Sequence, residues 1–267
     1  MERIVEPELM EDPLQAQAYA AADFDCSDQA FTECFLALLG QPFPRARPVG
    51  DGGGGWGPGS APGDGIVDLG CGPGNISFRL ASALPQARVL GLDGAAPMVA
   101  LAEAQRQRHP GQWPQLRFEQ VRVPLTQAAS PGVDPVAALG GPFAAVVSNS
   151  LLHHLHDPLV LWQAVGQLAA PGATIYIKDL RRPASAAAAD ALTERYAAGA
   201  PAVLRRDFRA SLAAAFTAAE VEAQLAQALP LGSAVGTKGA AWSGFTVAEV
   251  DDRYLEIHGR WLGWGAP

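Results

Sequence analysis

Three cysteines in 267 residues, Cys26, Cys34 and Cys71, are too few and too unevenly spaced for a disulfide framework or a thiolate metal site. They read as reduced thiols of a cytoplasmic protein. Charged residues make up only 17% of the chain and acids outnumber bases, giving a formal net charge of −8 and a pI of about 5.1. A basic face for nucleic acid is therefore not expected, and a small molecule is the more natural partner. No window approaches ~18 uninterrupted apolar residues, so no membrane span is expected. The N-terminal MERIVEPELMEDP lacks the basic and apolar regions of a signal peptide.

What is present is hydrophobic sequence in short runs, 49% of the chain in all, enough for a sizeable core. Residues 13–39 carry Phe31, Phe35, Leu38 and Leu39 at helical spacing, with Gly40 as a stop, and predict two short helices. Residues 41–65 are so rich in glycine and proline that they read as a flexible connector. The first 65 residues thus form an N-terminal region, and 66–267 a core.

In that core, short β-branched runs alternate with Ala-rich helical stretches, the texture of βαβ units and a parallel sheet. Strands are expected at 66–70, 88–93, 116–122, 143–149 and 174–180, and helices at 75–84, 96–108 and 157–169. Asp157-Pro158 has the form of a helix start, with Asp as N-cap. About 45 helical residues follow strand five, forming an insert at 183–228, and Thr217-Ala-Ala-Glu220 is a capping box that opens its last helix. Two final strands, 245–250 and 253–261, flank Asp251-Asp252 and predict a terminal antiparallel hairpin.

Chemistry concentrates after the first strand, in Ile66-Val-Asp-Leu-Gly-Cys-Gly-Pro-Gly-Asn75. Glycines at 70, 72 and 74 indicate bare backbone held against a ligand. A dinucleotide fingerprint wants its third glycine at 75, where asparagine stands. Asp68 also lies two residues upstream, where it would repel a pyrophosphate but suit the ammonium of S-adenosylmethionine. Asp93 ends the second strand, where a carboxylate accepts from ribose hydroxyls and disfavours a 2′-phosphate.

These segments carry a resemblance. Asp68-Leu-Gly-Cys-Gly-Pro-Gly74, Leu92-Asp-Gly-Ala-Ala-Pro-Met98 and Val147-Ser-Asn-Ser-Leu-Leu-His-His-Leu-His-Asp-Pro158 resemble the motifs of class I S-adenosylmethionine-dependent methyltransferases of the small-molecule branch. The resemblance implies a Rossmann-like seven-stranded α/β sheet, five parallel-type strands plus a C-terminal antiparallel hairpin, with helices on both faces and a helical lid after strand five. It implies S-adenosyl-L-methionine as cofactor and S-adenosyl-L-homocysteine as product.

It also implies roles. Asp68 lies near the methionyl ammonium, Gly70, Cys71 and Gly72 offer backbone to the amino acid moiety, and Asp93 takes the ribose. Gly94 and Met98 flank the adenine, Asn149 offers backbone near the methionyl end, and Tyr19 closes over the cofactor. One departure stands out: Arg122 occupies the place of the usual adenine-binding acid, leaving Arg122 itself, or backbone at Val121–Val123, to make that contact.

Methyl transfer mainly requires alignment of a nucleophile with an activated carbon, and a general base helps where the acceptor carries a proton. His153 and His154, just beyond strand four, are the best-placed bases, and Asp179 is a weaker third. Three histidines within four residues, 153, 154 and 156, also raise a metal site, but no acid or cysteine stands at ligand spacing from them, so no metal is expected. Arg181, Arg182, Arg205, Arg206 and Arg209 would line a pocket for an anionic acceptor or form a solvated helix face. An Asp/Asn-Pro-Pro-Tyr element after strand four is missing, which removes the nucleic-acid amino-methyltransferase pattern. A protein-directed enzyme, a catalytically silent cofactor-binding member and an NAD-dependent oxidoreductase remain as alternatives.

Overall fold

The structure, a computed structural model, describes residues 1–7, 9–40, 64–125, 134–228 and 244–263. The connector at 41–63 and part of the 124–142 loop lie outside the described residues. Seven strands form one sheet in the order β3-β2-β1-β4-β5-β7-β6. β1 (Gly65–Leu69), β2 (Arg88–Asp93), β3 (Leu116–Gln120), β4 (Phe143–Asn149) and β5 (Ala169–Leu180) pair in parallel. β7 (Tyr254–Arg260) runs antiparallel to β5 and to β6 (Thr246–Glu249). Strand order reverses between β1 and β4, and in open sheets of this kind that switch point is where ligands bind, beyond the strands' carboxyl ends.

The central strands are apolar on both faces because both are covered. β1 is buried along its whole length, as a parallel strand between helical layers must be. On one face lie α2 (Asp25–Leu39), α3 (Asn75–Ala83) and α4 (Ala96–Arg108), around Phe31, Phe35, Ile76, Leu80 and Tyr176. The other face is covered by α6 (Leu159–Leu168) and α9 (Ala218–Gln227), where Trp162 is fully buried and its indole N–H donates to Gln224 Oε1 at 3.1 Å. Complete burial of so large a side chain is tolerated because its one polar group is satisfied.

Local signals set the boundaries. In α1 (Pro13–Ala20), the Asp12 carboxylate accepts from Leu14 N at 2.8 Å and proline occupies the first turn. Gly40 closes α2 at φ 62°, a left-handed cap that suits glycine. Thr217 and Glu220 form the reciprocal capping box at the start of α9. The insert consists of α7 (Ala186–Ala197), α8 (Ala202–Ala214) and α9, and α5 (Pro135–Ala138) is the single short helix described in the loop before β4.

Some boundaries differ from the sequence reading. β5 begins at Ala169 rather than Thr174, because Ala169 pairs with Phe143 before a register shift lets Thr174 pair with Ala145. Exposed Pro171 and Gly172 sit inside that irregularity and hide it from a period-2 pattern. β3 ends at Gln120, two residues early, where Val121 N turns to donate to Asp93 O at 2.9 Å. α6 starts at Leu159, with Pro158 rather than Asp157 as its cap residue, although the Asp157 carboxylate still accepts from Leu159 N at 3.0 Å. The final turn spans 250–253, where Asp251 Oδ1 accepts from both Arg253 N and Tyr254 N.

Candidate active site

The glycine loop bends sharply out of β1. Gly70, Gly72 and Gly74 all have positive φ, at 70°, 54° and 92°, and Gly70 N and Cys71 N both donate to Leu92 O, which pins the loop to β2. The three glycines serve different ends. A Cβ on Gly70 would lie 2.9 Å from Leu151 Cβ, and one on Gly74 would lie 2.8 Å from Phe118 and Phe78, so close packing requires those two. Around Gly72 no atom of the described residues lies within 4 Å of such a Cβ. Its open side is space without a protein neighbour.

Asp93 faces this space from the end of β2. Its Oδ2 accepts from Gly72 N at 2.9 Å and its Oδ1 from Ala95 N at 2.8 Å, so the carboxylate ties the glycine loop to the start of α4. Burial pushes its pKa up against the pull of those two donors. Asp68 is fully enclosed beneath the loop, bonded by Ser77 Oγ at 2.6 Å, and burial drives its carboxyl up to about 7. An ammonium placed near it would restore the ionised form.

Asn149 ends β4, and Ser150 beyond it has φ 61°, the single non-glycine residue with positive φ among those described. Ser150 N donates to Lys178 O at 2.9 Å, which holds that strained turn at the switch point. Gly94 lies against Leu9, whose Cδ2 would be 2.8 Å from a notional Gly94 Cβ, while Met98 is buried with Ala16 and Ala95, and Met10 and Tyr19 pack against them. Burial drives the Tyr19 phenol far upward, with Asp28 and Asp93 adding to the effect.

Arg122 is two-thirds exposed and its guanidinium pairs with Glu11 at 2.9 Å, while its Cγ lies 3.4 Å from a notional Gly94 Cβ. It therefore packs by its stem and points its charge outward. Val121 and Val123 pack against the main core cluster, and the N–H of Val121 is already spent on Asp93 O. Cys71 is buried, and burial together with Asp68 and Asp93 pushes its thiol well up, which suits packing and not nucleophilic attack.

His153 and Asp179 come together at the ends of β4 and β5. His153 Nδ1 lies 2.6 Å from Asp179 Oδ1, and the other carboxylate oxygen accepts from Leu152 N at 2.7 Å. Burial pulls the His153 pKa down, but the Asp179 carboxylate outweighs it and the net direction is up. Both oxygens of Asp179 are engaged, so it positions His153 and is not itself a free base, contrary to the sequence reading. His154, one-fifth exposed, lies against His153 with 4.1 Å between ring centroids.

Sequence reasoning missed the residue that completes this group. Glu6 reaches in from the N-terminus, with Oε1 3.1 Å from His154 Nδ1 and 3.6 Å from His153 Nε2. Its segment is held by Arg3, which donates to His153 O and Leu155 O and lies 3.9 Å over the Phe216 ring, and by Ile4 N donating to Ala213 O. No local signal marks Glu6, because its partners lie about 150 positions away.

The arginines of the insert do not converge on a pocket. Arg181 pairs with Glu249, Arg182 with Glu220, Arg205 with Glu194, Arg206 with Asp207 and Arg209 with Asp190. Arg205, Arg206 and Arg209 thus answer to acids of the insert itself, and Arg181 to Glu249 in β6. A cleft of about 490 Å³ opens on the outer side of the glycine loop between Asp28, Pro73, Asn75, Phe78 and Trp113, away from Asp93 and Met98.

A seven-stranded sheet with this order, a glycine turn after β1 and an acid ending β2 define the class I methyltransferase architecture. Residues 67–175 match the family model described as a methyltransferase domain. The chain is 36% identical over 113 residues to a trans-aconitate 2-methyltransferase of Deinococcus radiodurans, covering 42% of this chain and 36% of that one. It is 30% identical over 137 residues to a ubiquinone biosynthesis O-methyltransferase of Xanthomonas campestris pv. campestris, covering 51% and 52%. The chain thus spans about half or less of the length of these curated relatives.

Among solved structures, a SAM-dependent methyltransferase from Aquifex aeolicus superposes with a TM-score of 0.53 at 14% identity, over 93% of this chain and 98% of that one. The plantazolicin methyltransferase BpumL, solved with a pentazolic desmethylPZN analog and SAH, superposes with a TM-score of 0.52 at 15% identity, over 80% and 67%. At those identities the likeness is one of fold. Residues 67–175 thus match a methyltransferase domain, and the chain has the Rossmann-like fold of S-adenosylmethionine-dependent methyltransferases. No helix among the described residues is long and apolar enough to cross a membrane.

Proposed function

We propose that this protein binds S-adenosylmethionine at the glycine turn and transfers its methyl group to a small-molecule acceptor. The observation that carries the reading is the open side of Gly72 set against the Asp93 carboxylate. Other turn glycines, such as Gly111 and Gly172, are open as well, but Gly72 alone among these has its N–H held by a strand-ending carboxylate, that of Asp93. In this reading Asp68 and Asn149 flank the methionyl end, Gly70 and Cys71 shape the turn with their N–H groups already donated to Leu92 O, and Gly94 and Met98 border the adenine end near Tyr19. At that end Val121, Arg122 and Val123 are the neighbouring segment, with the Arg122 stem against Gly94.

Bound there, S-adenosylmethionine supplies a methyl carbon already activated by its sulfonium. The chain's own residues then have to orient the acceptor, exclude water and receive its proton. His153 and His154 are the proton acceptors, with Asp179 fixing the His153 tautomer. A free base contributes about 10²–10⁴-fold. The relatives named for trans-aconitate and ubiquinone biosynthesis support a small acceptor carrying oxygen, and the acidic balance of the chain argues against nucleic acid. The ion-paired arginines of the insert give no support to an anionic pocket.

The test is transfer of labelled methyl from S-adenosylmethionine into a mixture of small metabolites, proteins and nucleic acids, with the products fractionated by size. Label in the small-molecule fraction supports the reading. Label confined to macromolecules sinks it.

A further inference from the structure

We propose that Glu6, His153 and His154 form a binding site for a divalent transition-metal cation of the zinc type, on the acceptor side of the sheet. One ligand atom from each of the three residues lies within 4.8 Å of the others. A tetrahedral site with bonds of about 2.0–2.2 Å places its ligand atoms roughly 3.3 Å apart. The measured separations from Glu6 Oε1, 3.1 Å to His154 Nδ1 and 3.6 Å to His153 Nε2, bracket that value. Two imidazoles and one carboxylate are also a ligand set that zinc uses where it keeps a coordination position open.

The surroundings are those of a ligand site. Asp179 holds His153 by Nδ1, which leaves Nε2 as the free donor and supplies the carboxylate partner that metal-bound histidines usually have. His154 Nδ1 is buried and finds no well-aligned hydrogen bond, so its donor capacity is unspent. Ser211 Oγ donates to Glu6 Oε1 at 3.0 Å and steadies that side chain. The nearest cation, Arg3, directs its guanidinium at the carbonyls of His153, Leu155 and Ala214, on the backbone side of the cluster.

With a cation in place, His153 and His154 become ligands, and an acceptor oxygen entering the open position loses its proton more readily. The acceptor's proton then passes to solvent, and His153, with Nδ1 on Asp179 and Nε2 on the cation, acts as a ligand in place of a base. The site rests on the cluster itself and not on the methyl-transfer reading.

The experiment is isothermal titration of zinc chloride into chelator-treated full-length protein, with cobalt(II) absorption as a second readout. Saturable 1:1 zinc binding and an intense tetrahedral cobalt spectrum are expected in the wild type. Glu6→Gln and His154→Ala should each weaken zinc binding by at least the ~10–100-fold seen when an outer-shell partner is lost, and Asp179→Asn by about that amount. His109→Ala, a histidine outside the cluster, should leave it unchanged. Circular dichroism and S-adenosylhomocysteine binding confirm that each variant is folded, and keep failure of the metal site distinct from failure of the cofactor site. Zinc affinity unchanged by both Glu6→Gln and His154→Ala, or no saturable binding in the wild type, overturns the proposal.

Discussion

Replacing Gly72 by alanine separates a turn that merely reverses the chain from one that cradles a ligand. Gly72 has φ 54° and, among the described residues, no atom within 4 Å of a notional Cβ. The methyl group therefore meets no neighbour in the unliganded protein, and the folding cost is the left-handed backbone alone, roughly 1–2 kcal/mol. For a chain of this size that corresponds to a Tm decrease of about 2–8 °C.

Gly70→Ala is the control. It carries the same backbone cost at φ 70° and adds a clash with Leu151 Cβ at 2.9 Å. Overpacking costs a further ~1–3 kcal/mol, so Gly70→Ala is the less stable variant. If the open side of Gly72 receives the cofactor, Gly72→Ala weakens S-adenosylhomocysteine binding by more than about tenfold, or about 1.4 kcal/mol, in a protein that remains folded. Differential scanning fluorimetry and isothermal titration calorimetry read both quantities. Wild-type affinity in a folded Gly72→Ala protein would refute the cradle.

Asp68 gives a pH prediction. Its folded pKa of about 7 lies above the ordinary carboxylate value, so its burial opposes folding increasingly as pH rises from about 4 to 7, and the opposition is relieved as pH falls through that window. Cofactor affinity should move the other way, rising from pH 6 to 8 as Asp68 ionises beside the ammonium, and Asp68→Asn should flatten that profile in calorimetry. Thiol labelling should modify Cys26 and Cys34 rapidly, both being exposed, and spare Cys71 until the protein unfolds. Thr217→Ala removes one half of the α9 capping box and should cost about 1 kcal/mol in chemical denaturation.

The turn and strand ends that frame the proposed cofactor site were legible because their constraints are local. A run of glycines after a buried strand, an acid ending the next strand and an N-cap each act within a few residues. The five parallel strands and the terminal hairpin were legible for the same reason, since each strand has its own apolar run and turn, whereas their order in the sheet is set by pairing between distant segments. The acceptor end was not legible. Glu6 meets His153 and His154 only through the docking of the N-terminal segment on α8 and the turn after β4, and Asp179 looked like a base until its two oxygens were seen to be engaged. The arginines of the insert left a pocket and a solvated face open, because a one-dimensional cluster of cations says nothing about the acids that fold onto it. The early start of β5 was hidden by Pro171 and Gly172, turn residues that sit in a bulge.

Calorimetric titration of S-adenosylhomocysteine into the wild-type protein and into Asp93→Ala bears most directly on the central claim. The account predicts saturable 1:1 binding in the wild type and its loss in the variant, with no binding of NADH to either. Binding of NADH without binding of S-adenosylhomocysteine, or full affinity in Asp93→Ala, would contradict it.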